Sequence, residues 1–300
     1  MKQAYKWVFL VLLATYVTLA FTLPTNPETL QRLEVSQGQA RLLNLTVVIP
    51  LSLVYLGALY GFMRIKDYAE KVKDSREGPH FETLARGLMV LAFSLPINSI
   101  VSSLTSYIRH AQPHMLSDIS IIRQYLALAL AFTAIALLAR GAQGLFGTLK
   151  NASVNRQSFY AIIGPIVLAC VYTWLILSQG AGTSDNQPYF MPDWVVITTI
   201  AIPYIYAWCI GSWAAVLLYK YHAKVKGVIY KRALDNLAKG IAGVILVSIF
   251  LQFLTTLSGL LNRLDLTPLL GVVYVLIALY ALGYGLIAQG AKKLKQIEEV

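Results

Sequence analysis

Hydroxyl and amide side chains interrupt an apolar stretch of the sequence at residues 86–108, and a second set interrupts residues 238–261. Residues three and four apart share a face of a helix, so each set forms a polar line. These groups donate and accept hydrogen bonds without carrying charge, which is the chemistry that holds a small neutral polar solute. The candidate lining residues are Asn98, Ser99, Ser102, Ser103, Gln252, Thr255 and Thr256.

The same side chains have a structural alternative. Within a bilayer, Ser, Thr, Asn and Gln also hold helices together through hydrogen bonds between helices. Both interpretations place the polar lines inside a bundle, away from lipid. The sequence leaves the choice between solute site and helix contact open.

Charged side chains are missing from the centres of the apolar stretches. Ion-coupled pumps and proton relays place charged groups there despite the cost, so proton-driven or sodium-driven transport is disfavoured. Retinal bound to a mid-span lysine and haem held by paired histidines are disfavoured for the same reason. No Ser–His–Asp set, phosphate loop or carboxylate pair is apparent, so neither an enzyme nor a bound cofactor is expected.

One group has the spacing of metal ligands on a helix, namely His110, His114 and Asp118. Pro113 lies between the two histidines, and no second cluster completes a site. We therefore expect a surface group rather than a metal centre. It is also the only group that would suit a lipid-modifying enzyme, the weakest of the functions considered.

The composition is that of a polytopic membrane protein. Apolar residues make up 57% of the chain and charged residues 13%, and the mean hydropathy is +0.61. Apolar stretches of about 20 residues cross a ~30 Å hydrocarbon core and must be helical there, because lipid satisfies no backbone hydrogen bonds. The predicted spans are 6–23, 43–63, 86–108, 121–141, 159–179, 194–219, 238–261 and 267–289.

Lys and Arg concentrate on one side of these spans. Most of the 25 basic residues lie at the two termini and in the loops after the second, fourth and sixth spans. Such a bias marks the cytoplasmic side, so both termini are predicted to be cytoplasmic. The net charge of +11 is thus a topology signal rather than a sign of nucleic-acid binding. The longest basic loops are the hairpins 64–86 and 220–239, which suit anionic headgroups or partner proteins.

The second half of the chain repeats the first. The block Pro50–Leu104 recurs at Pro203–Leu257 without a gap, and Leu84-Ala85-x-Gly87 matches Leu237-Ala238-x-Gly240. Because each unit contains four spans, the second unit enters the membrane with the same orientation. A pseudo-two-fold axis along the membrane normal is therefore expected to relate the halves.

Two prolines occupy matching positions near the outer third of the second and sixth spans, namely Pro50 and Pro203. A proline within a helix frees a backbone carbonyl and introduces a kink. These residues are therefore the candidate hinges, although kinks with a purely structural role are also common in membrane helices.

The sequence thus predicts an all-α integral membrane protein of eight helices, built as two parallel four-helix repeats, residues 1–150 and 151–300. The leading hypothesis for its function is an uncoupled facilitator or channel for a small polar solute. The alternative is a non-catalytic membrane subunit or scaffold that binds lipid or partner proteins, the latter through the hairpins 64–86 and 220–239. Homo-oligomers are compatible with either function.

Overall fold

The structure is a computed structural model in which the regular secondary structure of the described residues is entirely helical. It describes residues 2–24, 30, 36–111, 116–150, 167, 193–261 and 266–296. Within these ranges there are seven helices, which confirms the predicted all-α class. They are α1 (Lys2–Thr22), α2 (Gln37–Lys71), α3 (Gly78–Ala111), α4 (Leu116–Lys150), α5 (Asp193–Lys224), α6 (Val228–Leu261) and α7 (Leu266–Gln296).

Five of the described helices contain a segment long and apolar enough to cross a membrane. The segments are Gln3–Thr22, Gln37–Lys71, Gly78–Leu104, Ala129–Gly147 and Tyr274–Leu294. Several such helices in one chain are in keeping with a multi-pass membrane protein. The span predicted at 159–179 falls outside the described residues, apart from residue 167.

Helix α2 extends beyond the predicted span at both ends. It begins after Ser36, whose hydroxyl accepts from the Gln39 amide at 3.3 Å while the Gln39 side chain accepts from the Ser36 amide at 2.8 Å. This reciprocal cap satisfies two backbone donors that would otherwise be unpaired. At the other end α2 ends at Lys71, and Gly78 begins α3, where Pro79 is tolerated because first-turn amides need no helical partner.

Six helices, α2 to α7, form a closed ring. Each packs against the next in chain order, and α7 packs back against α2. Helix α1 lies outside this ring and contacts α2 and α3. The first and last helices of the ring are therefore neighbours, which places residues from the two ends of the chain side by side.

Two seams of the ring, α3 with α4 and α6 with α7, depend on glycine. A Cβ atom added to Gly87 would lie 2.9 Å from the Leu138 side chain, and one added to Gly240 would lie 2.7 Å from the Gly283 carbonyl oxygen and 2.8 Å from the Ile287 amide. Such distances leave no room for a side chain. Small residues let membrane helices approach closely, so these glycines set the helix separation.

A second pair of glycines repeats this arrangement from the opposite helix. A Cβ atom on Gly141 would lie 2.6 Å from Leu84 Cγ, and one on Gly290 would lie 2.9 Å from Leu237 Cγ. Leu84 and Leu237 occupy matching positions in the predicted repeat, as do Gly141 and Gly290. The two seams therefore carry the same contacts at corresponding positions.

A carboxylate fastens the turn between α2 and α3 to the second half of the chain. Glu77 accepts hydrogen bonds from the hydroxyls of Tyr221 and Tyr230, the latter at 2.7 Å. Burial raises the pKa of both phenols, so both remain protonated donors. The hairpins 64–86 and 220–239 are thereby joined to each other.

Candidate functional site

One face of α3 changes from apolar and buried to polar and partly exposed along its length. Steps of three and four residues place on this face, in order, Leu84, Leu88, Leu91, Leu95, Asn98 and Ser102. The first three are exposed by 6% or less, and the last three are partly exposed. This face of α3 is therefore packed near the basic hairpins and more open toward the other end of the helix.

Large apolar side chains from the neighbouring helices complete the packed end. They belong to one hydrophobic cluster and are exposed by 1% or less: Leu138 from α4, Leu218 and Tyr221 from α5, Leu237 and Ile241 from α6, and Ile287 from α7. A polar solute would meet no hydrogen-bonding side chain among these residues, apart from the Tyr221 hydroxyl already bonded to Glu77. This end is closed in the structure.

Two of the predicted lining residues form hydrogen bonds within the protein. Ser99 is 2.6 Å from the hydroxyl of Tyr55 on α2, and the Ser103 hydroxyl donates to the Ser99 carbonyl at 2.9 Å. The first bond joins α3 to α2 and the second lies within α3, so both hydroxyls are bonded to the protein. Asn98 and Ser102 lie on the face described above, and their side chains form no hydrogen bond with another described residue.

Two buried tyrosines of neighbouring helices were not singled out as lining residues from the sequence, namely Tyr55 on α2, which is bonded to Ser99, and Tyr284 on α7, which borders a groove shared with α2. Tyr55 and Tyr284 are exposed by 4% and 3%. The Tyr284 hydroxyl is buried and forms no hydrogen bond within the described part of the chain. The sequence signal was available, because tyrosine usually occupies the ends of a membrane span and not its middle.

The remaining predicted site residues divide into two groups. Pro50 lies inside α2, where it borders a groove shared with α7. The second group lies outside what the structure describes. Only the backbone is described at six of these positions, namely His110, Asp118, Pro203, Gln252, Thr255 and Thr256, and His114 is outside the described residues. Among the described residues no group of three His, Cys, Asp or Glu side chains could hold a metal ion.

Comparisons with protein-family models, with curated proteins and with solved structures find nothing that matches this chain. The features of the molecule that bear on function are the ring of helices, its closed basic end and the polar groups that lie beyond it.

Proposed function

We propose that this protein is an uncoupled facilitator for a small, neutral, polar solute. The observation that carries the proposal is the change along one face of α3, from buried leucines at the basic end to partly exposed Asn98 and Ser102. A half-open vestibule with hydrogen-bonding walls and a closed floor is the form expected of a facilitator that is open to one side.

The proposed architecture is eight spans in two parallel repeats, with both termini cytoplasmic. Matching glycine contacts in the seams α3–α4 and α6–α7 support the repeat. So do two exposed ion pairs at corresponding positions, Arg86 with Glu82 at 2.6 Å and Lys239 with Asp235 at 2.7 Å. The basic residues of both hairpins then face the cytoplasm, and the vestibule opens to the opposite side.

In the proposed mechanism, hydrogen-bonding groups replace the water around the solute as it enters. Asn98 and Ser102 offer these donors and acceptors from α3. We propose that Gln252, Thr255 and Thr256 supply the equivalent groups from the second repeat. A neutral solute is favoured, because a charge entering this site would lose its hydration without meeting an opposite charge.

Passage also requires the basic end to open. Prolines at matching positions, Pro50 and Pro203, are the proposed hinges, because a helix that lacks one hydrogen bond bends there at low cost. No driving ion enters this scheme, so the solute moves down its own gradient.

The flux of neutral solutes through reconstituted vesicles tests this proposal. We expect wild-type protein to accelerate the entry of urea or glycerol, measured by light scattering, and not that of potassium chloride. Asn98→Leu with Ser102→Leu is expected to lower the accelerated flux about tenfold or more, since each lost hydrogen bond to a desolvated solute costs roughly 1–3 kcal/mol. Thr133→Leu, on an exposed part of α4, is the control and should leave the flux unchanged. Equal flux in folded double variant and control would contradict the lining assignment.

A scaffold function is the second candidate, and one observation favours it. The Ser99–Tyr55 bond joins α3 to α2, so part of the polar line serves helix contacts as a scaffold would require. A scaffold predicts no acceleration of any solute, with partners bound at the hairpins 64–86 and 220–239. Failure of wild-type protein to move urea, glycerol or related solutes would favour this second function.

A further inference from the structure

A groove of about 480 Å³ runs along the outside of the ring between α2 and α7. Its walls are almost entirely apolar, and residues from Tyr274 to Ala288 border it on α7. The fourteen helical steps between these two residues rise about 21 Å, which exceeds the roughly 15 Å depth of one leaflet. Volume and length therefore suit one lipid chain lying parallel to the helices.

The groove opens on the exposed side of the bundle. Leu53 is 65% exposed, and Ala278, Ala281 and Gly285 are exposed, although all four border the groove. In a membrane this surface meets hydrocarbon. Glycine widens the groove, since a Cβ atom added to Gly57 or to Gly285 would touch nothing within 4 Å.

Each wall of the groove leads to a basic residue at the basic end. Steps of three and four residues continue from Leu53 and Gly57 to Arg64 on α2, and from Gly285 and Ala288 to Lys292 on α7. Both side chains are at least partly exposed.

Arg64 and Lys292 lie at about the same height along the two helices. The helices run in the same direction and touch where a Cβ atom on Gly61 would lie 3.0 Å from the Ile287 side chain, and Arg64 and Lys292 both follow within about two turns. The Arg64 guanidinium also packs over the Tyr60 ring, 5.0 Å from its centre, which orients it on the exposed side.

We propose that this groove binds an anionic phospholipid of the leaflet on the basic side. One acyl chain lies between α2 and α7, and the headgroup phosphate lies between Arg64 and Lys292. Basic residues beside an apolar cleft are the combination that selects an anionic lipid, because the chain and the phosphate are bound together. At the opposite end, a hydrogen bond between Thr46 and Tyr274 closes the groove.

Photo-crosslinking in vesicles tests the proposal with two probes, phosphatidylglycerol and phosphatidylcholine, each carrying a diazirine on its acyl chain. Mass spectrometry locates the adducts. We expect phosphatidylglycerol to label peptides 50–57 and 274–288 preferentially. Arg64→Gln and Lys292→Gln should each lower that preference about fivefold, the loss expected for one cation near an anionic headgroup.

Matched variants separate the groove from general charge. Lys66→Gln and Lys293→Gln remove neighbouring cations on other faces, and Lys66 packs over Tyr5 of α1 at 4.4 Å, so these changes should leave the preference intact. Gly57→Leu fills the groove and should suppress labelling by both probes, whereas Leu282→Phe, an exposed position of α7 that does not border the groove, should not. Equal labelling by the two lipids, or equal effects of the groove and control variants, would overturn the proposal.

Discussion

Gly240→Ala is expected to destabilise the folded protein by about 2 kcal/mol, the usual cost of overpacking a tight contact. The added methyl group would lie 2.7 Å from a backbone carbonyl oxygen and 2.8 Å from a backbone amide nitrogen of α7. Backbone atoms cannot rotate away as a side chain can, so α6 and α7 must separate. The midpoint of unfolding in mixed detergent micelles, followed by circular dichroism, measures the change.

Gly57→Ala provides the matched control, because the chemical change and the gain in helix propensity are identical. An added Cβ at Gly57 meets no atom within 4 Å. We expect this variant to be as stable as wild type or more stable by up to about 1 kcal/mol. A Gly240→Ala protein that unfolds at or above the midpoint of Gly57→Ala would show that the seam is looser than described.

Glu77→Ala should lower the free energy of unfolding by about 3 kcal/mol. The substitution removes the acceptor of two phenol hydroxyls, one from the end of α5 and one from the start of α6. Hydrogen bonds to a charged group contribute roughly 1.5–3 kcal/mol each. Tyr221 is completely buried, so water cannot replace Glu77 as the acceptor of its hydroxyl. Chemical unfolding of the purified protein measures the loss.

Glu82→Ala is the control for this experiment. Glu82 pairs with Arg86 at the exposed surface, where the two side chains are 52% and 64% exposed. An exposed pair of this kind contributes about 0.3–0.5 kcal/mol. Equal effects of the Glu77 and Glu82 substitutions would mean that the tyrosine bonds to Glu77 contribute little to stability.

Hydropathy predicted the seven described helices, since a membrane forces long apolar segments to satisfy their backbone hydrogen bonds internally. The start of α2 was not predicted, although Ser36 and Gln39 have the spacing of a reciprocal cap. The hydrogen bond between Glu77 and Tyr230 could not be predicted from the sequence, since it joins residues 153 positions apart. Helix periodicity shows which residues share a face, but not which helix that face will meet.

For the candidate site, too, the sequence predicts which residues share a helix face but not which residues they contact. The polar line on α3 follows from the spacing of Asn98 and Ser102. The partner of Ser99 does not, because Tyr55 is 44 residues away on a helix whose position the pattern leaves open. The lipid groove was equally hidden, since it exists only because α7 closes the ring against α2.

The accessibility of single cysteines tests the central claim of a vestibule closed at the basic end. Cysteines placed at Asn98, Ser102 and Leu88, in protein lacking Cys170 and Cys209, would be exposed to a membrane-impermeant thiol reagent from each side of the membrane. We expect labelling at 98 and 102 from the side opposite the basic hairpins, and protection at 88. Protection at all three positions, or equal labelling at 88, would contradict this account.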